Sequence, residues 1–190
     1  MFFPEKIDDS LRGRVKDMLA AFDADAFLSA LSLALTLPDI CGARMCPHEK
    51  SSSKRYETWF DQYVAPSYRN SSEAHGCYFN GRDCYQLRCV FLHEGSNALH
   101  PKKKKSIYHI AQFRIFEKSS EIAVDHIGRQ WPSDDPEATF AQVDLDLRRF
   151  LHSIESGVER FLEDYPDANK YCPVRGPEAV HYSPILDFRS

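Results

Sequence analysis

The chain lacks any stretch approaching the roughly 18 uninterrupted apolar residues that a membrane-crossing helix needs. Its first residues, MFFPEKIDDS, do not run from a basic segment into a long apolar one. No secretion signal is therefore read there, and a cytoplasmic location without a membrane partner is expected. An excess of positive charge is also missing, since 28 acidic and 24 basic side chains leave a formal charge of −4. That balance excludes a global field for holding nucleic acid and confines any RNA contact to a local patch. Six cysteines are too few to scaffold 190 residues with disulfides, and they are expected to stay reduced. Cys41-x4-Cys46-x-His48 comes nearest to a metal site, but it lacks the Cys-x2-Cys or His-x3-His pairs of tetrahedral zinc sites. Neither a metal nor another cofactor is expected. No internal repeat is present.

Apolar residues make up 43% of the chain and aromatics 13%, enough to fill one core at this length. From Leu11 to Leu37, Val15, Leu19, Phe22, Ala26, Ala30 and Leu33 recur at helical steps, with a break expected near Asp23–Asp25 and a stop at Pro38. The second part, from Ala26 to Leu35, is apolar nearly all round and reads as the most buried helix. Tyr56, Trp59, Phe60, Tyr63 and Val64 mark a short aromatic helix ending before Pro66, its rings read as core and not as base-stacking platforms. Asn80 is placed to cap a further helix with Asp83 in its first turn. Ile107 to Phe116 alternates as a strand does, and Ile122 to Ile127 is the expected partner across a polar turn. Phe140, Val143, Leu147, Phe150, Ile154, Val158, Phe161 and Tyr165 form a helical stripe that Pro166 ends. The expectation is a mainly α protein, a four- to five-helix bundle over residues 1–166 with a β-hairpin inserted at about 106–128. Residues 167–190 are read as an extended C-terminal tail along the surface or a partner subunit.

The helix opened by Asn80 carries Arg88-Cys-Val-Phe-Leu-His93. Five residues advance an α-helix by about 1.4 turns, leaving the two side chains about 140° apart and within about 8 Å along the axis. They meet at one small target only if the long arginine curls toward it or a second chain completes the site. Lys102, Lys103, Lys104 and Lys105 follow soon after, either as a solvated loop or as phosphate contacts at the mouth of a cleft.

An arginine followed after four to six residues by a histidine on an inner helix resembles the signature of the HEPN superfamily of small helical proteins. The resemblance spans about Leu11 to Tyr165, with its specific part confined to Arg88–His93. It implies a metal-independent endoribonuclease, toxin- or defence-related, acting as a homodimer in which Arg88 and His93 of both subunits share a cleft. It further implies RNA products ending in a 2′,3′-cyclic phosphate and a 5′-hydroxyl, and it admits an antitoxin-like protein partner. The sequence departs from the family in having Cys89 directly after the arginine, where many active members have Asn or Asp. Asp83 is the residue expected to hold Arg88 in its place.

Two further readings stand beside this one. The first is a non-catalytic, dimeric HEPN-like module that binds a nucleotide or a protein, which Cys89 favours. The second is a regulatory domain stabilised by metal at Cys41, Cys46, His48 and Cys77 or Cys84. The plainest alternative gives the motif no function: Arg88 pairs with an acidic side chain, and His93 is a core histidine beside Phe91 and Leu92.

Overall fold

The structure, a computed structural model, describes residues 8–68, 79–98, 109–117, 129–130 and 140–170. Within them lie five α-helices, α1 (Leu11–Asp23), α2 (Phe27–Met45), α3 (Ser52–Tyr63), α4 (Gly81–Glu94) and α5 (Leu147–Asp164). Three strands, β1 (His109–Phe116), β2 (Arg129–Gln130) and β3 (Phe140–Asp146), make one small sheet. Residues 171–190, most of the expected tail, lie outside the described residues.

Local chemistry sets the helix starts. Ser10, Ser51 and Asp146 each accept a hydrogen bond from a backbone N–H in the first turn of α1, α3 and α5, satisfying donors that a helix start leaves unpaired. The expected break between α1 and α2 is present, with Asp25 in the left-handed region at φ 57°. Aspartate tolerates that conformation better than most residues, which lets the chain turn back sharply.

Pro38 does not end α2, as its ring would lead one to expect; the helix continues to Met45. A proline removes one helical N–H and crowds the preceding turn, at a cost of about 3 kcal/mol. Here Leu37, Pro38, Cys41 and Gly42 are all buried, and continued burial outweighs the local preference. The Tyr56 hydroxyl of α3 donates to the Leu35 carbonyl at 3.3 Å, supplying a donor in the turn that the proline disrupts. By length and composition α2 would suffice to cross a bilayer. In this fold it packs against α1, α3, α4 and α5.

The strand expected at Ile107–Phe116 is present from His109 to Phe116, and its pairing with β3 was not anticipated. β1 runs parallel to β3, which lies between β1 and a short antiparallel β2; the proposed partner segment Ile122–Ile127 lies outside the described residues. The last helix also begins later than its stripe suggested, because Phe140 and Val143 belong to β3. Val143 and Leu145, two apart, are fully buried, and Asp146 then caps the helix that starts at Leu147. Two residues of a strand happened to match the spacing of the helix that follows.

The helices and the sheet share one core. The Phe79 ring lies edge-on to Phe60, Tyr68 and Phe150 at centroid distances of 5.7–6.2 Å, and to Phe113 of β1 at 6.5 Å. After α4, the Asn97 carbonyl accepts from the Phe113 N–H at 2.7 Å, which brings the edge of the sheet to the end of α4 that carries His93.

Candidate functional site

α4 is held at both ends. The Asn80 side chain accepts from the Asp83 N–H while Asp83 accepts from the Asn80 N–H, a reciprocal capping box, and Gly95 closes the other end at φ 60°. Cys84, Leu87 and Val90 are buried, the inward face of the helix. Arg88 is set off from that face, at the seam between α4 and α2, where its side chain retains 21% of its exposure.

The arginine curls as the 140° separation requires. Its Nη1 lies 3.0 Å from His93 Nε2, so both motif residues of one chain meet without a second subunit. At the other end of the guanidinium, Nε donates to Asp39 Oδ2 at 2.6 Å. Asp39 comes from α2, in the residue directly after Pro38. The Tyr85 ring flanks the guanidinium at 5.8 Å and stands edge-on to buried Tyr56 at 5.4 Å. Burial opposes the charge on Arg88, but the Asp39 carboxylate and the Cys89 side chain together outweigh it and lift the guanidinium above its ordinary pKa. It stays fully charged.

The contact also fixes the state of the imidazole. A guanidinium has donors and no acceptor, so His93 Nε2 must accept, and the ring proton sits on Nδ1. His93 is exposed at the surface, which removes the reading of it as a core histidine. Its Nε2 is occupied by Arg88.

Not every expected site residue joins this cluster. The carboxylate paired with Arg88 is Asp39, in place of Asp83, which is buried and committed to the capping box. Lys102, Lys103, Lys104 and Lys105 lie outside the described residues. Cys89 is half-buried beside Arg88. Among the described residues no three His, Cys, Asp or Glu side chains come close enough together to hold a metal ion. Burial pushes the thiols of Cys41 and Cys84 well above their ordinary pKa, so neither is a ready thiolate ligand.

Asp39 is the residue that the sequence reading missed. Its signal was a lone carboxylate in an apolar helix, hidden because a helix ending at Pro38 would leave it in a loop. Once α2 continues, Asp39 falls on the surface that faces α4. The seam thus presents a charged guanidinium braced by a carboxylate, with an imidazole within hydrogen-bond reach, a set able to bind an oxyanion and move a proton. No family model matches the chain, and neither does any curated protein or solved structure.

Proposed function

We propose that the Arg88–His93 pair is the active centre of a metal-independent endoribonuclease with a HEPN-like arrangement of helices. The observation that carries this reading is the 3.0 Å contact between the two motif side chains at an accessible helix seam. A phosphate oxygen entering there replaces the imidazole as acceptor for Nη1. Nε2 is then free to take a proton.

The reaction follows from those roles. His93 removes the proton of the ribose 2′-hydroxyl, and the O2′–phosphorus bond forms as Arg88 binds the charge developing on the phosphoryl oxygens. The phosphorus–O5′ bond then breaks, and the proton passes from the imidazole to O5′. The products are a 2′,3′-cyclic phosphate and a 5′-hydroxyl. A homodimer that presents two such pairs to one RNA strand belongs to the same proposal.

The test is cleavage of a defined RNA by the purified chain in the presence of a chelator, with the end groups analysed. His93→Ala is expected to lose on the order of 10²- to 10⁴-fold in rate, the usual share of an acid–base group. Undiminished cleavage by that variant ends the proposal.

One observation favours a second reading. The charge of Arg88 already has a partner in Asp39, and a cysteine follows it where active relatives of this type have a polar residue, as suits a module that binds nucleotides without turning them over. Such a module leaves RNA intact but melts at a higher temperature with a nucleoside monophosphate present.

A further inference from the structure

From the same geometry we infer that Asp39 is a positioning residue for the Arg88–His93 pair, an inference that rests on the reading of the pair as a phosphodiester site. The guanidinium is planar and is gripped at two separated points. Asp39 holds Nε at 2.6 Å, and His93 meets Nη1 at 3.0 Å. The third nitrogen, Nη2, is bonded to neither. With two points fixed before RNA arrives, the plane of the guanidinium is set, and Nη1 and Nη2 together face the phosphate that then replaces the imidazole at Nη1.

The clamp also acts on the imidazole. A free histidine side chain in water prefers the tautomer with its proton on Nε2, the opposite of the state that Arg88 imposes. Without Asp39 the arginine would be a long, partly exposed side chain that keeps the flanking Tyr85 ring, the neighbouring Cys89 and the surface histidine but loses its charged partner, and rotamer freedom would compete with the bond to His93. Asp39 thus reaches His93 through Arg88 and keeps Nε2 proton-free before RNA arrives. The carboxylate sits on a different helix, so the state of the imidazole depends on how α2 packs against α4. The kink-prone turn at Pro38 lies directly beside it.

The experiment reads the His93 ring by ¹⁵N NMR in the full chain at about pH 8, where an ordinary histidine is neutral, alongside RNA cleavage kinetics. In the wild type the ring is expected to show the Nδ1–H tautomer. Asp39→Ala is expected to shift it toward Nε2–H and to lower kcat by about a hundredfold, the scale of a small misplacement of a reacting group, with KM little changed. Asp39→Asn keeps an acceptor oxygen for Nε and is expected to recover much of both. A carboxylate that merely tied α2 to α4 would lower the melting temperature and leave the tautomer alone. Two results overturn the inference: a wild-type ring mainly in the Nε2–H form, or an Asp39→Ala variant with the wild-type tautomer. If the tautomer depends on Asp39 yet the wild type cleaves no RNA, the positioning role stands and the ribonuclease proposal falls.

Discussion

The contact between α3 and α5 centres on buried aromatic rings, with hydrogen bonds from Tyr63 to Asp164 and from Arg160 to the Tyr63 carbonyl at its edge, whereas the seam between α2 and α4 centres on a charged pair. At the first, Trp59 is fully buried against Phe161 and Tyr63, and α5 offers Gly157 where a larger residue would not fit. A Cβ on Gly157 would come within 2.7 Å of a Val64 methyl carbon and 3.4 Å of the Trp59 ring. At the second, Asp39 and Arg88 stay partly wet, and an exposed imidazole closes the row. A dry contact gains from every atom it excludes from water, whereas a charged one gains little in stability and is useful where it can still be reached. Packing around Trp59 therefore contributes stability to the bundle, while the α2–α4 seam leaves its polar groups within reach of solvent.

That contrast is open to attack from either side. Trp59→Ala empties the dry contact and is expected to destabilise the chain by about 3–5 kcal/mol. Urea unfolding measures it, and a loss below about 1 kcal/mol would mean that the contact is not the anchor described. Gly157→Ala instead overfills the contact. The expected cost is about 1–3 kcal/mol, read by the same titration, and an unchanged midpoint would show that α5 slides away freely. Asn80→Ala opens the capping box at the start of α4, for which about 1 kcal/mol is expected. In that variant, hydrogen exchange should quicken first at the amides of Gly81 to Asp83, and protection equal to the wild type would count against the box. His93→Ala touches only the wet seam and should move stability by less than about 0.5 kcal/mol while RNA cleavage is lost. A large drop in stability there would blur the division between the two regions.

A last and smaller effect concerns pH. Glu159 of α5 has its pKa lowered, first by its hydrogen bond with Arg12 of α1. A depressed carboxylate stabilises the fold above its unfolded pKa, and that contribution is lost as the solution is acidified through its folded pKa. Both side chains are well exposed, so Glu159→Gln should differ from the wild type only slightly at neutral pH, with the gap closing in acid. A gap that widened in acid would contradict the sign.

The sequence made the helices plain wherever apolar spacing and caps agreed. The aromatic face of α3, the Asn80 cap, the turn at Asp25 and the stripe from Leu147 to Phe161 were all legible for that reason. It misled where a local rule met a stronger tertiary one. Pro38 suggested a helix end because the burial of Cys41 and Gly42 cannot be seen from spacing alone. β3 was absorbed into the helix after it because Phe140 and Val143 fit both periods. Pairing between strands distant in sequence leaves no local mark, so the parallel partner of β1 was not visible. At the candidate site, Arg88 and His93 were found from their spacing and Asp39 was not, because its approach to Arg88 depends on the course of α2 past the proline.

The parallel pairing of β1 with β3 bears on how the chain comes together. Two parallel neighbours cannot be joined by a tight turn, so a bond between β1 and β3 closes a loop from Phe116 to Phe140. Closing that loop is an entropic cost met ahead of any reward, while α1, α2 and α3 gain from packing on their neighbours in sequence. Amides of α1, α2 and α3 are thus expected to acquire protection ahead of those in β1 when refolding is followed by pulsed hydrogen exchange. Simultaneous protection would show instead that helices and sheet condense in a single event.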